Sequence, residues 1–204
     1  MKILGIVGSS RKKGNTDILV DTVLKSAENC GAQVEKIYLS DYDFEGCRAC
    51  EGCNKTFKCV LKDDMQEIYK KINESDGIVL GSPTYFYNVS SLTKKFIDRL
   101  YAYDTFHDDD RSVWISYNEV FGMKYAVTVA VCEQENEDDM GYTSIVMDKT
   151  LQSVGYRVVQ SVKALHAFKK GEIKQKDDIL YICEKAGEKL YKTIELSYSI
   201  KNKK

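Results

Sequence analysis

The chain reads as an α/β protein built on a doubly wound, five-stranded parallel sheet. Three observations carry that expectation. Short apolar runs alternate with helical periodicity from the first residues onward. The first run passes directly into a Gly- and Ser-rich loop that opens a helix. The third run, Gly77–Gly81, has no polar alternation, as expected of a strand covered on both faces.

The elements follow in order. Lys2–Val7 is the first strand. Thr16 to Glu28 sets Val20, Val23, Leu24 and Ala27 on one helical face, and Val34–Leu39 is a second strand. Met65, Ile68, Tyr69 and Ile72 recur at helical spacing, with Asp64 and Glu67 placed to cap the start. After the third strand, a helix from Ser91 turns Leu92, Phe96, Leu100 and Tyr103 inward. Tyr125–Val131 is the fourth strand, and the next helix carries Val146, Leu151 and Val154 on its inner face. Tyr156–Val162 is the fifth strand, and Asp177 to about Ser197 is the last helix, striped by Ile179, Cys183, Ala186 and Leu190. The expected strand order is 2-1-3-4-5, in a single domain spanning 1–204. Two segments stand outside the pattern: a cysteine-rich loop at 40–61 and an inserted loop at 104–123.

Composition narrows the function. The 204 residues hold 43% hydrophobic residues, enough for one sizeable core, and a formal net charge of -1. That balance argues against a nucleic-acid partner, which demands a basic surplus. The basic end Lys201, Asn202, Lys203, Lys204 lacks interleaved aromatics and reads as a solvated tail. Ile3–Val7 is too short for a signal-peptide core, and no run approaches the ~20 apolar residues of a membrane span. A cytoplasmic protein without a membrane partner is expected. Its 7 cysteines would then stay reduced and invite a metal or redox reading.

The loop Gly8-Ser9-Ser10-Arg11-Lys12-Lys13-Gly14-Asn15-Thr16 is a candidate anion site. A helix start offers unpaired N–H groups and partial positive charge. Ser9, Ser10 and Thr16 add hydroxyls, and Arg11 can pair with a phosphate. The loop is neither G-x-G-x-x-G nor a P-loop. After the third strand comes Ser82-Pro83-Thr84-Tyr85-Phe86-Tyr87-Asn88, which holds the chain's one proline and three successive aromatics. Aromatics there can flank a planar ring, and the turn backbone can hydrogen-bond its polar edge. In the expected order the first and third strands straddle the switch point, so loop and turn would serve the two ends of a flavin nucleotide.

Cys47, Cys50, Cys53 and Cys59 form C-x2-C-x2-C-x5-C within one loop. One loop carrying four thiolates at such gaps can wrap an iron–sulfur centre. Zinc prefers two separated pairs, and free thiols on a reduced loop are the plain alternative. Cys30 and Cys183 read as small core residues. Cys132 ends the fourth strand near the expected ring.

Together these motifs resemble the iron–sulfur flavoproteins among the NADPH-dependent FMN reductase-like proteins of the flavodoxin superfamily. The resemblance rests on G-S-S-R-K-K-G-N-T, on the cysteine run followed by Lys62-Asp63-Asp64-Met65, on G-S-P-T-Y-F, and on Leu92-Thr93-Lys94-Lys95-Phe96-Ile97-Asp98-Arg99. It implies a flavodoxin-like fold binding FMN. Ser9, Arg11, Gly14, Asn15 and Thr16 would hold the phosphate, and Pro83, Thr84, Tyr85, Phe86 and Asn88 would contact ribityl and ring. The four loop cysteines would ligate a [4Fe–4S] cluster. It further implies a homodimer or homotetramer. The acidic stretch Glu133–Asp139 departs from the family's glycine-rich loop and would repel the phosphate of NADPH.

Three functions are open at this point. The first is an electron-transfer flavoprotein coupling FMN to the cluster, fed by a ferredoxin-like carrier and serving a small-molecule acceptor. The second is an NAD(P)H-dependent FMN or quinone reductase without a cluster. The third is a non-enzymatic metal-binding or interaction domain. None needs an acid–base side chain, so no catalytic residue is expected. His107 and His166 read as structural or surface residues. The 104–123 insert, with Phe106, Trp114, Tyr117 and Phe121, is expected to be a lid over the flavin or an oligomer contact.

Overall fold

In a computed structural model, which describes residues 1–201, five parallel strands form the central sheet in the order β2 (Gln33–Tyr38), β1 (Lys2–Val7), β3 (Gly77–Tyr85), β7 (Lys124–Val131), β8 (Tyr156–Ala164). Three short strands escaped the sequence. β4 (Asn88–Val89) pairs antiparallel with β3, and β5 (Asp104–Phe106) and β6 (Trp114–Ser116) form a separate hairpin. The plain 2-1-3-4-5 description therefore covers only the parallel part of the strand set. Of the basic C-terminal end, Asn202, Lys203 and Lys204 lie outside the described residues.

Strand pleating divides the core. Leu4 and Ile6 of β1 and Ile78 and Leu80 of β3 face one side, where α2 (Met65–Glu74), α3 (Ser91–Arg99) and α5 (Thr143–Ser153) pack. Ile3, Val7 and Val79 face the other, against α1 (Asn15–Asn29) and α6 (Asp177–Lys201). β3 runs past its expected end because Ser82 and Pro83 still register with Ala130 and Val131 of β7.

Two local expectations need correction. Asp64 does not cap α2: its carboxylate accepts the Asp43 N–H at 2.8 Å, and Asp63 Oδ1 takes the Met65 N–H at 3.2 Å. Cys30 is not a core residue but the half-buried C-cap of α1. Cys183 is fully buried in the α6 stripe, and burial pushes its thiol up to about 12.

The insert is a hairpin followed by the short helix α4 (Tyr117–Phe121), capped by a reciprocal Ser116–Glu119 box. It docks on the cysteine loop. The Lys55 N–H donates to Thr105 Oγ1 at 3.0 Å, and Thr105 Oγ1 donates to Asn54 Oδ1 at 2.7 Å. Phe57 meets Tyr117 and Phe121 edge-on at 5.7 and 5.9 Å. Lys55 pairs with Asp108, and Arg111 with Glu51. The two excursions from the sheet pattern are thus one structural unit. No helix among the described residues is long and apolar enough to cross a membrane.

Candidate functional site

At the carboxyl edge of the sheet lies a cleft of about 750 Å³, within the usual span of a cofactor site of roughly 300–1,000 Å³. Ser9, Arg11, Gly14, Asn15 and Thr16 form one wall, and Pro83, Thr84, Tyr85, Phe86 and Tyr87 another. The two segments singled out in the sequence therefore share one cavity. Ser10 is exposed and off the wall, and the half-buried Asn88, whose Oδ1 accepts the Val89 N–H at 2.8 Å, is off the wall too.

The first wall is held by close packing at the end of β1. The Gly8 N–H donates to the Gly81 carbonyl at 2.8 Å, and the Ser90 hydroxyl donates to the Gly8 carbonyl at 2.5 Å. A Cβ on Gly8 would lie 1.8 Å from Thr93 Oγ1, so only glycine lets α3 sit this near. Gly14 is the N-cap of α1 and offers no side-chain acceptor, which leaves first-turn N–H groups for a ligand. Asp17, in that turn, is directed elsewhere. It accepts Lys36 Nζ at 2.8 Å and the Tyr38 hydroxyl, and the Lys13 N–H at 2.6 Å. Burial alone would raise its carboxyl, but those donors outweigh it and hold it below the usual range. The Asn15 side chain is also committed. Its Nδ2 donates to the carbonyls of Ala167 and Lys169 at 2.9 and 3.0 Å, tying the loop after β8 to the helix start.

The second wall is a tight hairpin. Tyr85 pairs with Asn88, leaving Phe86 and Tyr87 as a two-residue turn with φ of 47° and 62°. Such a turn normally carries Asn-Gly. Two aromatics there store strain of roughly 1 kcal/mol or more each. The surroundings hold them in place. The Tyr142 N–H donates to the Tyr87 carbonyl at 2.7 Å, and Gly141, at φ +55°, passes so close that a Cβ would meet that carbonyl at 2.4 Å. Phe86 is 98% exposed. Thr84 Oγ1 is buried without a hydrogen-bond partner, an unmet polar group on the cleft wall.

Cys132 and the acidic stretch, through Glu133, Gln134 and Asp139, do border the cleft as expected, while the rest of the lining went unread in the sequence: Val131 at the end of β7, and Ala167, Phe168 and Lys170 after β8. The signal available was positional, because loops following neighbouring parallel strands open onto the same edge. In the acidic stretch, Glu137 pairs with Lys163 at 2.6 Å and Glu135 with His166 at 3.4 Å, while Glu133 and Asp139 face the cleft. The 104–123 insert contributes nothing to this lining and docks on the cysteine loop instead, so it does not cover this chain's own cleft.

The four loop cysteines lie apart from the cleft. All are free, and Cys53 is buried while Cys47 and Cys50 are exposed. They share a small cavity of about 20 Å³ with Arg99 and Tyr101. Burial pushes the Cys53 thiol up, and the other three add to that shift. Among the described residues no three Cys, His, Asp or Glu side chains come close enough to hold a metal ion. The loop backbone is unusual: Ala49, Glu51, Lys55 and Phe57 all have φ between 50° and 62°. Helix α3 joins the two places. Its N-cap, Ser90, binds Gly8 beneath the cleft, and its last residue, Arg99, lines the cysteine cavity.

Comparison with known proteins places this architecture. A flavone reductase structure superposes with a TM-score of 0.73 at 19% identity, over 96% of this chain and 63% of the other. A flavodoxin from the domain Archaea superposes at 0.60 and 17% identity, over 96% and 99%. A curated protein of Archaeoglobus fulgidus named iron-sulfur flavoprotein is 43% identical over 103 residues, 50% of this chain and 47% of its own length. The matched part thus spans about half the length of the curated relatives. The NADPH-dependent FMN reductase family matches residues 1–136. With its parallel sheet, its cleft at the switch point and that match, the chain belongs to the NADPH-dependent FMN reductase family.

Proposed function

We propose that the chain is an electron-transferring oxidoreductase that seats FMN in the carboxyl-edge cleft and uses the cysteine loop to hold a [4Fe–4S] cluster. One observation carries the flavin reading. A helix start with no side-chain cap and a buried, partnerless threonine hydroxyl line one cavity of about 750 Å³. The first-turn N–H groups of α1, the Ser9 and Thr16 hydroxyls and the Arg11 guanidinium would bind the phosphate. Thr84 Oγ1 and the Pro83–Tyr87 backbone would hydrogen-bond ribityl and ring, with Tyr85 and Phe86 excluding water beside them. When bound, FMN supplies both two-electron and one-electron chemistry. The protein's part is to bind, orient and shield, and no side chain is assigned a proton.

For the cluster, the donor set fits in kind and number: four free thiols on one cavity. The curated relatives' name, iron-sulfur flavoprotein, supports the same reading. Loading requires the exposed limb with Cys47 and Cys50 to turn inward, because the thiols are not yet gathered. A carrier of the ferredoxin class is the proposed donor, a small molecule the acceptor, and a homodimer or homotetramer the assembly. A second reading, a cluster-free NAD(P)H-dependent FMN or quinone reductase, is favoured by that same ungathered state.

Anaerobic purification, a visible spectrum, and iron and sulfide analysis test the proposal. Flavin bands with a broad iron–sulfur shoulder are expected. Flavin bands alone, bleached quickly by NAD(P)H, would select the second reading, and a colourless protein that takes up no FMN would defeat both.

A further inference from the structure

The largest fully buried side chain in the protein is a charged one, Arg99, at 1% exposure. Its Nη1 donates to Asp63 Oδ2 at 2.6 Å and to the Glu45 carbonyl at 2.8 Å, and its Nη2 donates to Asp63 Oδ1 at 3.0 Å. Those partners bracket the cysteine loop, one before Cys47 and one after Cys59. The Asp63 carboxylate also accepts the Glu45 N–H at 3.1 Å. The fork therefore staples both ends of the loop to the end of α3. Of the five N–H groups, one on Nη2 and the one on Nε are left over. Nε is buried with no hydrogen-bond partner, on a residue that lines the same cavity as all four cysteines. A loop staple needs only the Nη groups. An unpaired buried N–H is costly and calls for a ligand that meets it. The cavity's one carboxylate, Glu51, is already paired with Arg111, which leaves the four cysteine sulfurs as its anionic acceptors.

We propose that Arg99 is a positioning residue for the cysteine loop, its Nε–H donating to a cysteine thiolate and its charge offsetting the negative charge that builds up when four thiolates hold a cluster. The assignment rests on the cluster reading above. It gives Asp63 a defined counter-role. Asp63 fixes the guanidinium and also neutralises part of its charge, so the pair sets how much positive field the sulfurs feel. Outer partners of metal ligands typically alter metal affinity about 10- to 100-fold.

The test compares wild type, Arg99→Lys and Asp63→Asn, each reconstituted anaerobically with ferrous iron and sulfide. The readouts are cluster midpoint potential, iron loss to a chelator, and FMN affinity as a control. Arg99→Lys keeps a cation but removes the Nε donor, so its potential should fall and its iron should leave about tenfold faster. Asp63→Asn leaves Arg99 less neutralised, so its potential should rise. A purely structural staple would speed iron loss in both variants without moving the potentials in opposite directions, and that pattern would overturn the proposal. If Arg99→Lys fails to fold, the sign of the Asp63→Asn shift decides: unchanged or lowered refutes it. Wild type that takes up no iron refutes the cluster reading itself, and unaltered potentials in clusters that do form refute only the role of Arg99.

Discussion

The cleft and the cysteine loop are opposite ways of making a site. The cleft is assembled by topology. Its walls hang from the ends of β1 and β3, glycines at 8 and 141 admit close neighbours, and the strained Phe86–Tyr87 turn is clamped from outside. The cysteine loop has no strand of its own, carries four left-handed residues, and leaves two of its thiols exposed. It is held at its ends by the Arg99–Asp63 fork, along one flank by the β5–β6 hairpin and α4, and by Phe44 and Cys53, which sit in the core on the α2–α3 side. A rigid edge suits a cofactor that must be oriented. A loop without regular secondary structure suits ligands that draw the protein around themselves.

That contrast predicts separable losses. Cys53→Ser should abolish iron retention after anaerobic reconstitution and leave FMN affinity unchanged, as read by metal analysis and flavin fluorescence. Linked loss of FMN would show that the two regions are not independent. Arg11→Ala should do the converse. Losing one charge-assisted contact of about 1.5–3 kcal/mol weakens FMN binding by roughly 10- to 100-fold, with iron content untouched.

A third prediction probes the flank of the cysteine loop. Asp104, at the start of β5, is 3% exposed, its Oδ1 has no hydrogen-bond partner, and it lines a second cavity of about 360 Å³ together with Cys47 and Trp114. Burial, reinforced by Glu119, raises its carboxyl from 3.8 to about 7. The folded state therefore holds a proton that the unfolded chain has released, and stability falls as pH rises from about 4 through 7. Asp104→Asn should raise the thermal midpoint by roughly 6 °C at pH 8, corresponding to about 2 kcal/mol, and by little at pH 4. An equal gain at both pH values would contradict the assignment.

The smallest effect belongs to Thr84. Thr84→Val removes an orphaned hydroxyl, so the ligand-free protein should gain about 1 kcal/mol in denaturant unfolding while FMN affinity drops about fivefold. A loss in both would mean that the hydroxyl has a partner within the protein.

Much of the cleft was legible because its signals are local. Gly8–Thr16 and Ser82–Asn88 announce themselves by residue type at strand ends, and a five-strand alternation follows from apolar runs. What stayed hidden was carried by neighbours distant in sequence. Val131 ends a strand and Ala167 sits in the loop after one, and both become lining only through strand order. The Phe86–Tyr87 turn lacks the Asn-Gly that marks such hairpins, because Tyr142 and Gly141, far along the chain, hold it. The cysteine spacing was plain, but its support was not: nothing local shows that Thr105 would dock on Asn54 or that Arg99 would be buried against Asp63.

The most direct test compares FMN with riboflavin, titrated calorimetrically into the ligand-free protein. If the α1 start and its loop grip a phosphate monoester, FMN should bind one per chain and about 100-fold tighter than riboflavin, the weight of some 3 kcal/mol of charge-assisted hydrogen bonds. Equal affinities, or no binding of either, would contradict the account at its foundation.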